Sequence, residues 1–241
     1  MNKEQALKTY IEFYTDEENI NKIWNSAHLC NKEFAFYNKH FEEYKMKRHF
    51  SIRTKEFMKN VIEFNCVSWC KKGINKMYNL YYTMAEYKEL YPNMAYMSRN
   101  KHIRWDFNTM LTKIKHIPLV IDLDSDSLED LKVHAKDVYK ICEHLEKPMV
   151  IFTGMGFHIY DDEIGKKFNN DLTMHTEFVT ELAESITEFI DLKIYDYRRI
   201  LKIPNSLAVY EDDNENFKMF IVSEIELNEL KDFKYVKYEI G

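Results

Sequence analysis

Hydrophobic and polar positions alternate along the chain with two different periods. Residues 2–25 place Ala6, Leu7, Tyr10, Ile11, Tyr14, Ile20, Ile23 and Trp24 at helical spacing, which predicts one or two amphipathic helices. Glu33–Tyr37 and Lys47–Ile52 are short aromatic or alternating runs and predict strands. Lys55–Ile62 predicts a helix and Phe64–Trp69 a strand. Ile74–Leu90 reads as a tyrosine-rich helix stopped by Tyr91-Pro92-Asn93.

From residue 116 the pattern sharpens. Ile117–Asp124 is an apolar strand ending in acids. Asp126-Ser-Leu-Glu129 has capping-box form and opens a helix to about Glu146. Met149–Thr153 predicts a strand, Thr153–Gly156 a tight turn and Phe157–Tyr160 the next strand. Thr173–Ile190 predicts a helix, and Leu192–Ile194 and Ile200–Val209 extended segments. The order β-α-β-β-α-β is the split βαβ or ferredoxin-like unit, shared with RNA-recognition-motif-like (RRM-like) domains. Such a unit forms one sheet, from hairpin and parallel crossover pairs, with helices on one face. The other face is left to solvent or to the N-terminal section. The predicted class is mixed α/β (α+β), with an N-terminal helical and β lobe at 1–115 and a core at 116–241. Together they make one domain.

Composition narrows the class. Apolar residues make up 45% and charged residues 31% of 241 residues, which suits a globular chain. No apolar run approaches the ~20 residues of a membrane span, and the charged N-terminus has no signal-peptide core. An intracellular, cytoplasmic or nucleoid-associated protein without membrane contact is expected. The four cysteines read as reduced thiols. Cys66-x-x-x-Cys70, with Cys30 and His49, is not a standard zinc spacing, so zinc is not expected.

The net charge of −6 hides an asymmetry. Residues 51–120 carry 12 Lys+Arg against 5 Asp+Glu, while 121–241 carry 14 against 27. A basic section suits a phosphate backbone and an acidic one suits divalent metal, although both patterns also suit solvated helix faces.

Asp122 and Asp124 are two apart, so on a strand they share a face. Like charges that close disfavour each other unless a cation intervenes. Hard oxygen ligands suit Mg²⁺ or Mn²⁺. His158 follows the glycine turn on a strand expected beside Asp122 and Asp124. Asp191 follows the second helix, and Arg198-Arg199-Ile-Leu-Lys202-Ile-Pro204-Asn205-Ser206 comes next. Acids for metal, with a histidine, glycine amides and cations for phosphate, are the inventory of nucleotidyl transfer.

These residues resemble the archaeo-eukaryotic primase superfamily, which holds the catalytic small primase subunit and the primase-polymerases. VIDLD matches its D-x-D motif, TGMGFH its glycine-histidine motif and FIDLKIYDYRRILKIPNSL its third motif. NKEFAFYNKHFEEYKMKRHFSI resembles an upstream segment of the small subunit, with Lys32 where arginine is usual and Arg48 at a later arginine. The turn is shorter than the usual glycine-arginine form, and a zinc-bearing insertion is absent between His158 and Asp191.

The resemblance implies a DNA-templated primase or primase-polymerase using NTPs or dNTPs on a single-stranded DNA template. Asp122, Asp124 and Asp191 would hold two Mg²⁺ or Mn²⁺ ions, with Asp196 as competitor for the third place. Thr153, Gly154, Gly156, His158, Arg199, Lys202, Arg198, Asn205 and Arg48 would bind nucleotide. Lys32 and Arg53 are further phosphate candidates. Lys71, Lys72, Arg99, Lys101 and Arg104 lie in the basic section and would hold template. Tyr78, Tyr81 and Tyr82 suit either base stacking or a core. A large primase subunit, helicase or other accessory protein would assist. Three rivals stand beside this reading. One is an RRM-like binding module with Phe157 and Tyr160 as its aromatics. The second is a metal-dependent nuclease, and the third a degenerate primase domain that only binds or scaffolds.

Overall fold

The computed structural model describes residues 1–27, 29–37, 47–88, 113–125, 127–194, 199–212 and 216–240, with backbone alone at 30, 47–51 and 194. It is a mixed α+β protein built on small antiparallel sheets.

The two N-terminal helices form as their periodicity predicts: α1 (Lys3–Thr15) and α2 (Glu17–Ala27). Asn2 accepts from the Gln5 amide and the Gln5 side chain returns to the Asn2 amide, a capping box that fixes where α1 starts. The apolar stripes bury Tyr10, Tyr14, Ile20 and Ile23.

Helix α3 (Lys55–Ile62) is capped by Thr54 and continues as π-helical Glu63–Val67 and a last turn, Ser68–Cys70. This corrects the strand expected at Phe64–Trp69. On a strand Phe64 and Cys66 would share a face. Instead Phe64 is 74% exposed and Cys66 is fully buried, as a helical turn requires.

The helix expected at Ile74–Leu90 is also corrected. Over its described part the chain forms β3 (Asn79–Thr83) and β4 (Glu86–Tyr87). The tyrosine spacing fits a helix, but an aromatic and threonine run also suits a pleated, half-buried surface. Pairing on both sides of β3 decides it.

The first sheet holds β1 (Glu33–Tyr37), β2 (Lys47–Ser51), β3 and β9 (Ile200–Lys202) in the order β2-β1-β3-β9. The second holds β6 (Leu119–Asp124), β7 (Met149–Phe152), β8 (Gly156–Asp161) and β12 (Ser223–Ile225) in the order β12-β7-β8-β6. A third contains β10 (Leu207–Glu211), β11 (Phe217–Ile221) and β13 (Glu239–Ile240), and β4 pairs with β5 (Ile114–His116). The other α-helices among the described residues are α4 (Leu131–Cys142), α5 (Asp162–Lys167) and α6 (Leu172–Ser185).

The second sheet keeps the expected β-α-β-β start and departs at its end. Strands β6 and β7 run the same way, but β8 lies between them, so every described pair is antiparallel. The expected parallel neighbours are therefore absent among the described strands. The edge of β6, where a fourth strand would pair, carries a single antiparallel bridge, Leu123 to Ile190. Leu192–Ile194 is a 3₁₀ turn. Ile200–Val209 divides into β9, which joins the first sheet, and β10, which joins the third, and β12 takes the β7 edge. Helix α4 opens at Leu131, after Ser127 and Asp130 have bonded each other, and Asp126 lies outside the described residues.

Two cores result. One surrounds β6–β8 with α4 and α6 and takes in Met84 and Tyr87 from β3–β4. The other lies among α1–α3, β1 and β3 and takes in Ile203, Leu207 and Phe217 from the C-terminal part. No helix among the described residues is long and apolar enough to cross a membrane.

Candidate active site

The site starts from the register of β6 on β8. Asp122 stands opposite His158 and Asp124 opposite Gly156. Asp122 is 4% and His158 5% exposed, with Oδ1 3.4 Å from Nε2. Asp124, at the strand end, is exposed. Gly156 permits the close pairing: a Cβ there would lie 2.2 Å from the Leu123 carbonyl oxygen. Gly154 turns the chain at φ 98°, and its Cβ would meet the Tyr210 ring at 2.7 Å. Thr153 closes the turn, its amide donating to the Gly156 carbonyl at 2.9 Å.

Asp191 reaches the same strand end through the Leu123–Ile190 bridge. Its amide donates to the Asp122 carbonyl at 2.9 Å, and its Oδ1 accepts from the Lys193 amide at 2.9 Å.

The cations come from the first sheet. Arg199 directly precedes β9, and its carbonyl accepts from the Met84 amide at 2.8 Å. Its Nη2 lies 3.0 Å from Asp191 Oδ2 and 3.7 Å from Asp122 Oδ2. Lys202, on β9, donates to the Thr153 carbonyl at 3.0 Å and the Tyr210 hydroxyl at 2.5 Å. Tyr210 itself donates to the Thr153 carbonyl at 2.9 Å. The strand end that carries Asp122 and His158 is thus met by Arg199 and Lys202, which β9 brings in through its pairing with β3 of the first sheet.

Burial sets the electrostatics. It pushes the Asp122 carboxyl up to about 6, against the pull of Arg199 and Lys202. Asp122 Oδ1 has no hydrogen-bond partner among the described residues. Burial, with Lys202 and Arg199 nearby, holds His158 well below the usual imidazole range, so its ring is neutral. Its Nδ1 lies 3.5 Å from the Tyr160 hydroxyl, which lies 3.3 Å from the Tyr82 hydroxyl of β3.

Asp122, Asp191, His158, Arg199, Lys202 and the Thr153–Gly156 turn therefore converge, with Asp124 at the rim. Asn205 sits in the β9–β10 turn at φ 63°, its amide 2.6 Å from the Val222 carbonyl. Its neighbour Pro204 accepts from Ser26 of α2 at 2.9 Å, so this turn docks on the helical layer. Lys71 pairs with Glu63 at 3.0 Å, and Lys72 lies over the Trp69 ring at 5.3 Å, both at the end of α3's extension. Lys32 is buried with Nζ 4.2 Å from the Tyr82 ring centroid, and burial takes its ammonium down to about 8. Arg53 is exposed. Tyr78 and Tyr82 are core residues and Tyr81 is half-buried. Asp196, Arg198, Arg99, Lys101 and Arg104 lie outside the described residues, as does the side chain of Arg48.

Sequence reasoning missed Tyr82, Tyr160 and Tyr210 as polar supports of the site. Tyr160 was legible in part, because it lies two residues from His158 on one strand and so shares its face.

Among the described residues, no group of three or more His, Cys, Asp and Glu side chains is placed to hold a metal ion. Cys66 and Cys70 are buried thiols inside α3's extension. The donor chemistry at Asp122, Asp124 and Asp191 nevertheless fits a hard divalent cation. All three are carboxylates, and one buried oxygen of Asp122 lacks a hydrogen bond. In this conformation Arg199 supplies the positive charge.

Compared with known proteins, the chain matches no family model and no curated sequence.

Proposed function

We propose that the chain is a DNA-templated primase or primase-polymerase that joins NTPs or dNTPs on a single-stranded template. The observation that carries this reading is the convergence of Asp122 and Asp191 with His158, Arg199 and Lys202 from two separate sheets. Acids beside cations suit a reaction in which a metal-bound triphosphate must be neutralised and oriented.

Asp122, Asp124 and Asp191 would hold Mg²⁺ or Mn²⁺. When bound, such ions neutralise phosphate charge and favour the attacking alkoxide. The chain's own residues supply the rest. Neutral His158 offers an N–H to a phosphate oxygen. Arg199 offers a planar fork of donors suited to phosphate. Lys202, held by Thr153 and Tyr210, is a fixed positive charge beside the turn. In the bond exchange, the 3′-hydroxyl of one nucleotide attacks the α-phosphate of the next. The bond to the β-phosphate bridging oxygen breaks and pyrophosphate leaves, with the hydroxyl proton lost to solvent.

The binding-only reading has less support. Phe157 is fully buried and Tyr160 is 6% exposed, so neither offers an open face for base stacking. A nuclease would share the acids but leave the cations beside the turn without a triphosphate to bind.

The test is incorporation of labelled NTPs and dNTPs on single-stranded DNA, with and without an annealed primer, in Mg²⁺ or Mn²⁺. Products on the bare template establish a primase. Products only with a primer establish a polymerase that starts with the help of a partner, such as a large primase subunit or a helicase. Degradation of the template without synthesis overturns the reading in favour of a nuclease.

A further inference from the structure

We propose that Arg199 is a built-in competitor of the divalent ion, occupying the carboxylates when metal is absent and released to the nucleotide when metal binds. The inference rests on the reading that Asp122 and Asp191 take a divalent cation.

One guanidinium nitrogen lies 3.0 Å from Asp191 and 3.7 Å from Asp122, so a single side chain spans both carboxylates. Two carboxylates and one guanidinium leave a net charge of −1. The same pair with a divalent ion is neutral. With both cations present, a guanidinium within contact distance would face a like double charge in a poorly hydrated site. The guanidinium nitrogen lies between the Asp122 and Asp191 oxygens, where an ion shared by the two would sit, so the two cations cannot occupy the pair together.

Asp122 adds a second, independent observation. Its side chain is more than nine-tenths buried, yet Oδ1 has no hydrogen bond among the described residues, although the neutral His158 ring lies 3.4 Å away. Arg199 thus offsets only part of the charge of the pair and only part of its capacity to accept ligands. A cation that takes several oxygens would use what the guanidinium leaves.

Arg199 is also the cation able to leave. Its side chain is 34% exposed. Lys202, in contrast, is fixed by two hydrogen bonds and lies 4.9 Å from the Tyr210 ring centroid. Displacement would free a planar donor fork beside the ion, where the triphosphate arrives. Metal loading and nucleotide capture would then be ordered by one side chain.

The test is calorimetric titration of the nucleotide-free full chain with MnCl₂, comparing the natural protein with Arg199→Gln. The variant is expected to bind Mn²⁺ about tenfold more tightly, which corresponds to ~1.4 kcal/mol. Equal or weaker binding by the variant overturns the proposal and leaves the metal site standing. Absence of Mn²⁺ binding in both proteins removes the metal site and the proposal with it. A second measurement does not depend on that variant folding. The ¹⁵Nε resonance of Arg199, identified by its loss in Arg199→Lys, is followed through a MgCl₂ titration. It is expected to shift and saturate with the ion, and a resonance unmoved at saturating Mg²⁺ overturns the proposal.

Discussion

Asp122 and His158 face each other across β6 and β8, with Oδ1 3.4 Å from Nε2 and both side chains buried. Burial raises the pKa of the acid and lowers that of the base, so neither carries its charge at no cost.

The acid gives a pH prediction. The Asp122 pKa is about 6 in the folded chain, above the ~3.9 of an unfolded aspartate. The folded state therefore holds the proton more tightly, and stability falls as pH rises from about 4 to 6. With metal chelated, Asp122→Asn is expected to be more stable than the natural protein by about 3 kcal/mol above pH 6. The two should converge below pH 4. Thermal melts from pH 4 to pH 8 check this, and a constant difference across the range would sink it.

His158 is expected to act on nucleotide use. His158→Ala should raise the nucleotide KM by about tenfold to a hundredfold, since a hydrogen bond to a charged group contributes ~1.5–3 kcal/mol. Steady-state incorporation against nucleotide concentration measures it. An unchanged KM removes His158 from the phosphate site.

The glycines separate packing from backbone conformation. Gly156→Ala would drive a methyl group to 2.2 Å from the Leu123 carbonyl oxygen, forcing β6 and β8 apart. A loss of about 3 kcal/mol or more is expected, as for severe overpacking. Gly73→Ala meets nothing within 4 Å but keeps φ 74°, so it should cost only about 1–2 kcal/mol. Denaturant unfolding of both variants checks the ranking, and a reversed order contradicts the close approach.

Lys71 and Lys72 are exposed at the end of α3's extension. If they contact template, the double variant Lys71→Ala, Lys72→Ala should reduce the salt slope of single-stranded DNA binding by about 1–2. Stability should change by less than ~0.5 kcal/mol. DNA titrations at several salt concentrations decide it, and an unchanged slope assigns these lysines to the solvated surface.

Much of the site was legible because it depends on local pattern. An apolar run ending in Asp122-x-Asp124 makes a strand with both acids on one face. A glycine turn between two further apolar runs makes a hairpin, which brings His158 into register. The rest depends on distant pairing. Tyr78, Tyr81 and Tyr82 satisfy helical and strand spacing alike, and only β1 and β9 on either side of β3 fix the strand. Ile200–Lys202 reads as an extended segment wherever it pairs. Nothing local says that it joins β3 and so carries Arg199 and Lys202 across to the acids of another sheet. The tyrosine supports were hidden for the same reason, since Tyr82 meets Tyr160 only through that packing.

Template-dependent incorporation by Asp122→Asn decides whether these carboxylates carry synthesis. Labelled nucleotides, single-stranded DNA and Mn²⁺ are supplied to the natural protein and to the variant, and the variant's melting curve shows that it is folded. Synthesis by the natural protein is expected, with a loss of about a hundredfold to a thousandfold in the variant, the scale on which removal of one charge-stabilising group acts. Undiminished synthesis by the folded variant would contradict it.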